Sequence, residues 1–366
     1  MLRNLFVLSA LGYGGTEKVV YSVMQVLIDN GEEVSLFLPY MGGENYKKNL
    51  PVGVKVYYGA EKKSLWQKVV GLCKLRSLIK SHDRVIAGSE KRPIYLVGFL
   101  GLGLKKTAFA LIHSSLPYQL MRSPKHRWLM RWSFPQFHKV VFVSQSLEKL
   151  LSPILKLRPE QALTIYNSND SDKIRAKSTL PLPPVMNNSQ PFILTVARIA
   201  PEKDLDILIT AFAQIAEKVP HRLVICGKGE AVLEEKLQAL CHELGLQDKV
   251  LFVGHVDPPY ALMKAADLFV LSSAFEGASL VIVEALSLGK KIVSTDALYG
   301  GPAEMLNNKK FGTIVPVKDV TALATAMFES ISSTENLADS PDLPEYLQRF
   351  SPEQIKQEWL SVFAET

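Results

Sequence analysis

Two cations and two carboxylates in the second half of the chain have the spacing of a ligand site. Arg198 and Lys203 follow the apolar run Phe192–Val196, and Glu276 and Glu284 lie eight residues apart after a later apolar run. Cations beside a helix N terminus suit the two phosphates of a diphosphate. Two carboxylates separated by two helical turns form no close catalytic dyad, but each accepts hydrogen bonds from the hydroxyls of an elongated polyol. Taken alone, Arg198 and Lys203 are also what a solvated surface turn carries.

The second carboxylate follows a predicted helix start. The segment Glu276-Gly277-Ala278-Ser279-Leu280 stands at this start, where Gly277 allows close approach of the backbone and the N–H groups from Ala278 onward can meet an anion. Glu284 is surrounded by apolar residues on every face of this helix. An unpaired buried carboxylate is costly, so we expect Glu284 to have a partner, with solvent exposure as the alternative.

The elements that must position these residues alternate in type along the whole chain. Short apolar runs are followed by longer amphipathic segments, which is typical of βαβ units around parallel sheets that are covered on both faces. Runs predicted as strands are Leu5–Leu8, Glu33–Leu38, Val52–Tyr57, Val85–Ala87, Thr107–Ile112, Val140–Val143, Thr164–Tyr166, Phe192–Val196, Arg222–Cys226, Val250–Val253, Leu268–Leu271 and Lys291–Ser294. Parallel sheets bind ligands at the carboxyl ends of their strands, which is where the four charged residues fall.

A segment rich in proline and amide residues separates two similar α/β halves. The sequence predicts an N-terminal Rossmann-like domain over 1–180, a linker over 181–190, and a C-terminal Rossmann-like domain over 191–345. The last segment, 346–366, is predicted as a helix that packs back toward the N-terminal domain. The fold class is therefore α/β, with two doubly wound domains facing across a cleft.

Composition excludes several classes of protein and leaves the partner of the first half open. The 366 residues are 47% hydrophobic and 21% charged, as in ordinary globular proteins, and three cysteines are too few for a disulfide framework or a four-ligand zinc site. Residues 1–185 hold 27 lysines and arginines against 12 acidic residues, whereas the net charge of the whole chain is only +6. Such a basic half favours an anionic partner: nucleic acid, an acidic substrate or an anionic membrane leaflet. No run is long enough to span a bilayer, and we expect a cytoplasmic protein.

The order and spacing of several motifs resemble those of the family 4 glycosyltransferases, which are retaining enzymes of the GT-B fold. Glu276 and Glu284, within residues 272–289, match the Glu-x7-Glu signature of that family. The other matching motifs are Gly14-Gly15-Thr16-Glu17, Ala197-Arg198 with Glu202-Lys203, Gly227-Lys228-Gly229, Phe252-Val253-Gly254-His255-Val256, Gly300-Gly301-Pro302-Ala303-Glu304 and Tyr166-Asn167 with Asp170.

The resemblance implies a role for each matching residue. Glu276 would hold a hydroxyl of the donor sugar, Glu284 the ribose, Arg198 and Lys203 the diphosphate, and the backbone of Val256 the base. Gly14, Gly15, Gly227 and the segment Gly277-Ala278-Ser279-Leu280 would complete the donor site. Members of the family usually use no metal, so we expect neither a metal site nor a cofactor, with a nucleoside-diphosphate sugar, most simply a UDP-sugar, as the donor substrate.

One histidine and three departures complete the comparison with the family pattern. His113 ends the predicted strand Thr107–Ile112 and resembles the family histidine near the transferred sugar, so it joins Arg198, Lys203 and Glu276 as a candidate catalytic residue; a satisfied core histidine is the alternative. Ala197, Ser279 and the pair Lys290-Lys291 replace a common glycine, a common proline and an apolar-proline pair. The sequence offers no reason for the two lysines.

Two basic and aromatic segments in the first half are candidates for contact with an acceptor at a membrane. In Lys62–Lys80, a helix is predicted with Leu65, Val69, Leu72 and Ile79 on one face, and the second segment is Arg122–Lys139. A basic amphipathic helix with tryptophan suits an anionic bilayer, although packing against the sheet explains the same pattern. We therefore expect a transferase at the inner face of the membrane that moves a hexose or N-acetylhexosamine to a lipid-linked or cell-envelope glycan. The alternatives are a nucleotide-sugar-binding protein without transferase activity and a nucleic-acid-binding module.

Overall fold

The computed structural model contains two compact α/β units. It describes residues 1–11, 15–40, 49–60, 65–88, 92–102, 104, 107–112, 124–186 and 190–365. The first unit comprises Met1–Ser168 together with Pro352–Thr366, and the second comprises Asn169–Ser351. The division falls ahead of the proline-rich segment that the sequence marks as a linker.

The first unit is built on a parallel seven-stranded sheet in the order β3-β2-β1-β4-β5-β6-β7. Its strands are β1 Arg3–Val7, β2 Glu33–Tyr40, β3 Lys55–Ala60, β4 Arg84–Ala87, β5 Thr107–Ile112, β6 Lys139–Phe142 and β7 Ala162–Thr164. Leu5, Phe6 and Val7 in its centre are fully buried, as expected for a sheet that is covered on both faces. The α-helices described in this unit are Gly15–Asp29, Leu65–Ser81, Arg92–Leu100, Pro124–Ser133, Gln145–Leu155 and Pro352–Ala364.

The second unit contains a parallel six-stranded sheet in the order β10-β9-β8-β11-β12-β13. Its strands are β8 Phe192–Val196, β9 Arg222–Cys226, β10 Val250–Gly254, β11 Leu268–Leu271, β12 Ile292–Thr295 and β13 Thr313–Val315. Its α-helices are Ser171–Lys177, Leu205–Ala213, Ala231–Glu243, Tyr260–Ala265, Leu280–Ser287, Gly301–Met305, Val320–Ser332 and Leu343–Gln348. The order is that of a Rossmann sheet, which reverses between β8 and β11. The doubly wound fold predicted from the sequence is therefore confirmed, with β13 as an additional strand.

The boundary of the second unit is held by polar contacts of helix Ser171–Lys177. The amide of Asn169 donates to Ser287 Oγ at 2.8 Å, and Arg175 Nε donates to the Ser287 carbonyl oxygen at 3.2 Å. Asp170 accepts the backbone N–H of Lys173 as an N-cap at 2.9 Å. These bonds attach the segment after Ser168 to helix Leu280–Ser287, so the second unit begins before the proline-rich residues.

The C-terminal helix Pro352–Ala364 belongs to the first unit and is tied to its sheet. Arg84 Nη2 donates to the Phe363 carbonyl oxygen at 2.7 Å, while Nη1 pairs with Glu32 at 2.7 Å in a largely buried contact. Lys139 pairs with Glu365 at 2.9 Å. Arg84 therefore satisfies a buried carboxylate and a carbonyl at the end of this helix with one guanidinium.

Lys290 and Lys291, which the sequence left without explanation, cap the C termini of two helices. Lys290 Nζ donates to the carbonyl oxygens of Lys264 and Ala266 at 2.9 and 2.7 Å, where helix Tyr260–Ala265 ends. Lys291 Nζ donates to Ser330 and Ser333 at 3.2 and 2.5 Å, where Val320–Ser332 ends. Cations at these ends satisfy free carbonyls and complement the helix dipoles.

Candidate donor-binding site

The candidate site lies where the strand order of the second sheet reverses. The loop Ala197–Lys203 follows β8 and the loop Ser272–Ser279 follows β11, and these two strands are neighbours on either side of the reversal. Connections leave such a pair in opposite directions and open a crevice at the carboxyl edge, which is where ligands bind in open α/β sheets. The fold thus brings together residues that lie more than seventy positions apart in the chain.

Lys203 and Glu276 form an ion pair in this crevice. Lys203 Nζ lies 2.5 Å from Glu276 Oε1, and the two side chains are 16% and 11% exposed. Ser273 Oγ, fully buried, donates to the same carboxylate oxygen at 2.9 Å. Both hydrogen bonds that described side chains give to this carboxylate end on Oε1, which leaves Oε2 for a hydroxyl of a ligand.

The two loops are joined to each other by hydrogen bonds to backbone carbonyls. Ser272 Oγ donates to the Lys203 carbonyl oxygen at 2.7 Å, and the Ala274 N–H donates to the Glu202 carbonyl oxygen at 2.9 Å. Thr295 Oγ1 donates to the Ser273 carbonyl oxygen at 2.7 Å. The geometry of Lys203 and Glu276 is therefore fixed by main-chain contacts rather than by their own pairing alone.

Arg198 occupies a different environment from Lys203. Its side chain is 75% exposed, and Nη2 pairs with Glu202 Oε1 at 2.9 Å. Glu202 therefore holds the guanidinium over the loop, where it stays accessible to an anionic ligand. Sequence reasoning gave Glu202 no separate role, although its four-residue spacing from Arg198 is the available signal.

Glycines allow the loops of neighbouring strands to lie against one another. A Cβ on Gly227, whose φ is +155°, would lie 1.8 Å from the Ala197 carbonyl oxygen, so a side chain cannot be accommodated there. A Cβ on Gly301 would lie 2.8 Å from the Gly277 carbonyl oxygen, at the point where helix Gly301–Met305 begins. The close approach of these backbones is the physical reason for both glycines.

Glu284 has the partner that its apolar surroundings lead us to expect. It is half-buried on helix Leu280–Ser287, and Tyr260 donates its phenol O–H to Glu284 Oε1 at 3.2 Å. Tyr260 begins the helix that follows β10, and nothing in the sequence identifies it as a partner.

The remaining second-unit residues predicted for the donor site lie on the same carboxyl edge. Val256 follows β10, and its N–H approaches the Cys226 thiol at the end of β9; burial raises the pKa of that thiol and this backbone hydrogen bond opposes the increase. Gly277 is buried, Ala278 is half-buried, and Leu280 begins the helix. Ser279 precedes this helix as its N-cap residue. Among the described contacts its buried hydroxyl has no hydrogen-bond partner, so it is available to a ligand.

Of the three first-unit residues that the sequence predicts for the site, the structure describes only Gly15. His113 and Gly14 lie outside the residues that the structure describes. Gly15 is the first residue of helix Gly15–Asp29, which follows β1. The roles predicted for these three residues remain predictions.

The first basic segment forms a helix whose buried face differs from the predicted one. In helix Leu65–Ser81 the buried residues are Gly71, Leu75 and Ile79, whereas Val69 and Leu72, predicted on the packed face, are exposed. The exposed stripe consists of Trp66, Val69, Val70 and Cys73. Close contact of Gly71 with the Gly59 backbone selects the buried face, because the helix approaches β3 most closely where it has no side chain.

The second basic segment contains helix Pro124–Ser133. Trp128 is 65% exposed, and Trp132 stacks on Phe99 with ring centroids 4.2 Å apart. Arg131 Nε donates to the Ile154 carbonyl oxygen at 2.8 Å. Within the described ranges, no helix is both long and apolar enough to cross a bilayer.

Comparisons with known proteins identify the family of this chain. The model of glycosyl transferases group 1 matches residues 181–342, and the model of Glycosyltransferase Family 4 matches residues 13–173. The chain belongs to glycosyltransferase family 4. An uncharacterized glycosyltransferase of Methanocaldococcus jannaschii is 25% identical over 80% of this chain and 75% of its own length.

A second relative in this glycosyltransferase family has a specified acceptor. The N-acetylgalactosamine-N,N'-diacetylbacillosaminyl-diphospho-undecaprenol 4-alpha-N-acetylgalactosaminyltransferase of Campylobacter jejuni is 28% identical, over 63% of this chain and 62% of its own length. Anabaena HepE in complex with UDP superimposes with a TM-score of 0.81 at 22% identity over the full length of both chains. The lipopolysaccharide outer core galactosyltransferase WaaB superimposes with a TM-score of 0.77 at 19% identity, again over both full lengths. These structures establish the GT-B fold of the glycosyltransferase.

Proposed function

We propose that this glycosyltransferase transfers a hexose or N-acetylhexosamine from a UDP-sugar, with retention of anomeric configuration, to a lipid-linked or cell-envelope glycan. The observation that carries the proposal is the Lys203–Glu276 pair at the reversal point of the second sheet. In a nucleotide sugar a phosphate is bonded directly to the sugar. The Lys203 ammonium would bind that phosphate, and the free oxygen of the adjacent Glu276 carboxylate would accept a hydroxyl of the sugar.

In the proposed mechanism, positively charged groups of the protein surround the departing diphosphate. The negative charge that develops on the diphosphate is stabilised by Lys203, Arg198 and the N–H groups at the start of helix Leu280–Ser287. This electrostatic stabilisation of the transition state makes the largest contribution to lowering the activation barrier. Glu276 accepts a sugar hydroxyl on Oε2. The bond between the anomeric carbon and the diphosphate oxygen breaks, the acceptor hydroxyl attacks that carbon from the same face, and its proton passes to the departing diphosphate. With these cations in place, the reaction has no need of a metal ion.

The nucleoside end of the donor would lie along the neighbouring loops. Glu284, oriented by Tyr260, would accept the ribose hydroxyls, and the Val256 carbonyl oxygen would contact the base, since its N–H approaches Cys226. The choice of UDP is supported by HepE, whose structures contain UDP and UDP-glucose. The role of His113 beside the transferred sugar or the acceptor rests on the family resemblance.

The acceptor side of the proposal places the first unit at an anionic membrane surface. Helix Leu65–Ser81 exposes an apolar stripe that includes Trp66, 75% exposed, and it also carries the exposed cations Lys68, Lys74 and Lys80. This combination suits the boundary between lipid headgroups and acyl chains. The named acceptor of the Campylobacter relative is itself a lipid diphosphate.

A thermal-shift panel of nucleotide sugars tests the donor part of the proposal. A donor that binds only the folded protein raises the midpoint by mass action, so a UDP-sugar is expected to stabilise more than the ADP or GDP analogue. Release of free UDP in the presence of acceptor, unchanged by EDTA, is expected for the metal-independent transferase. Stabilisation without any UDP release would indicate a binding protein, and absence of stabilisation by every nucleotide sugar would reject the proposal.

Vesicle sedimentation tests the membrane part. Wild-type protein is expected to sediment with anionic vesicles and to remain in solution with neutral ones, and Trp66→Ser is expected to weaken the association. Val232→Ser, at an exposed apolar residue of the second unit, is the control, and Trp128→Ser tests the second basic segment Arg122–Lys139 in the same way. Binding to oligonucleotides in preference to vesicles would favour a nucleic-acid partner instead.

A further inference from the structure

An apolar pocket opens on the carboxyl edge of the first sheet. Its volume is about 270 Å³, and its lining is mainly apolar, with the cations Lys68 and Arg92 and the phenol groups of Tyr40 and Tyr95 as its polar members. Phe37 and Leu75 are fully buried in the pocket, whereas Lys68 and Arg92 are exposed. The apolar residues therefore form its floor and the cations its rim.

The position of this pocket is that of a ligand site. Phe37 lies in the last part of β2, and Arg92 begins the helix Arg92–Leu100 that follows β4. β2 and β4 flank β1, and the strand order of this sheet reverses between β1 and β4. Crevices at such a reversal, on the carboxyl edge, are where open α/β sheets bind ligands.

The chemistry of the pocket selects an amphiphile with one anionic end. Leu72 and Leu96 add to the apolar wall, so a strongly polar ligand buried there would lose more hydration than the phenol groups of Tyr40 and Tyr95 can replace. At the rim, two exposed cations and the start of helix Arg92–Leu100 favour a phosphate or diphosphate. A sugar alone would match neither the apolar floor nor the charges.

We infer that this pocket binds the first part of the apolar chain of a lipid phosphate or diphosphate, with the phosphates at Lys68 and Arg92. The inference rests on the proposed function, because it identifies the acceptor as a lipid phosphate and assigns a place to its chain. The occupant is a lipid and not free phosphate, since the apolar floor has no counterpart in an inorganic anion. Leu72 of the pocket wall lies one helical turn after Val69 of the exposed apolar stripe, so the lipid would pass to the pocket from a bilayer at this stripe.

The test measures binding of farnesyl diphosphate to the full chain by isothermal titration calorimetry, with farnesol and inorganic pyrophosphate as partial ligands. Farnesyl diphosphate is expected to bind at least about tenfold more tightly than either partial ligand, because only it fills both the floor and the rim. Leu72→Asn and Arg92→Gln are each expected to weaken its binding by about tenfold.

Two exposed positions on helix Leu65–Ser81 supply matched controls. Val69→Asn changes an apolar residue of the exposed stripe as Leu72→Asn changes one of the pocket wall, and Lys80→Gln removes a charge outside the pocket lining. Both control variants are expected to bind farnesyl diphosphate as wild type does. Leu72 is 39% exposed, so Leu72→Asn is expected to fold, and circular dichroism checks this.

Three outcomes would overturn the inference. They are absence of saturable binding, equal binding of pyrophosphate and farnesyl diphosphate, and equal weakening by Val69→Asn and Leu72→Asn, which would indicate adsorption to the surface. The thermal shift caused by UDP, measured on the same variants, reports the second unit separately. If UDP caused no thermal shift in wild type, this would count against the proposed donor site. The farnesyl diphosphate titration would still show whether the pocket of the first unit binds a lipid diphosphate.

Discussion

Removing the Lys203 ammonium should destabilise the second unit as well as abolish most activity. In Lys203→Met the Glu276 carboxylate, 11% exposed, keeps only the Ser273 hydroxyl among its described hydrogen bonds. Loss of one partner from a buried ion pair destabilises by about 3–5 kcal/mol. Because Lys203 is partly exposed, we expect the lower end, about 3 kcal/mol, in the free energy of unfolding. Turnover should fall by about 10² to 10³, since a charge-stabilising group is lost from the transition state.

The double variant Lys203→Met/Glu276→Gln separates these two effects. Neutralising Glu276 removes the uncompensated charge, so the double variant should recover about 2 kcal/mol of the stability lost by the single one. Its activity should stay as low as that of Lys203→Met or fall further. Lys310→Met is the matched control: Lys310 and Asp342 also lie 2.5 Å apart, but their side chains are 50% and 55% exposed, so the change should stay within about 0.5 kcal/mol.

Urea unfolding followed by two signals assigns the change to the correct unit. All four tryptophans, Trp66, Trp128, Trp132 and Trp359, belong to the first unit, so fluorescence follows that unit while circular dichroism follows both. Lys203→Met should lower the urea midpoint of the second unit, which is detected by circular dichroism but not by fluorescence. The fluorescence transition of the first unit should be unchanged. Equal stability of Lys203→Met and wild type, or no recovery in the double variant, would refute the role of the pair in holding the crevice.

The remaining predictions concern a positioning residue, a close backbone approach and a buried histidine. Ser273→Ala should lower kcat/KM by about tenfold, because the hydrogen bond that orients Glu276 is lost; steady-state kinetics that match wild type would reject this role. Gly227→Ala should destabilise the second unit by about 2 kcal/mol or more, since its Cβ would meet the Ala197 carbonyl oxygen. Gly245→Ala, also at positive φ but with nothing within 4 Å, should cost less in the same urea titration. Burial lowers the pKa of His221, with Asp267 opposing, so the unfolded chain takes up the proton first and stability should decline as pH falls below about 6.5. Urea titrations from pH 8 to 5 should show a smaller decline in His221→Gln, and parallel curves would contradict the assignment.

The sequence predicts the strands and the candidate donor site because both depend on local patterns. Apolar runs predict strands that overlap all seven strands of the first sheet and five of the six in the second, although Val52–Tyr57 begins three residues before β3 and Thr164–Tyr166 shares only Thr164 with β7. Thr313–Val315 is not predicted, because this short strand at the sheet edge is only partly buried and forms no continuous apolar run. The Glu276 and Glu284 spacing and the positions of Arg198 and Lys203 directly after strands indicate the site before any contact is known.

What the sequence does not predict depends on contacts between distant residues. The buried face of helix Leu65–Ser81 is selected by Gly71 against the Gly59 backbone, although the apolar pattern alone favours Val69 and Leu72. Likewise, Lys290 appears as an unexplained charge until the helix end that it caps is placed beside it. Positioning side chains such as Ser273 and Tyr260 become visible only when the loops that follow different strands are brought together.

The crevice between β8 and β11 should bind the diphosphate of a nucleotide through Lys203. Titration calorimetry of UDP and of uridine, on wild type and on Lys203→Met at a temperature where both are folded, tests it directly. Wild type should bind UDP much more tightly than uridine. Lys203→Met should weaken the binding of UDP by between about 10- and 100-fold and leave the binding of uridine unchanged. Equal affinities for UDP and uridine in wild type, or an unchanged UDP affinity in Lys203→Met, would contradict it.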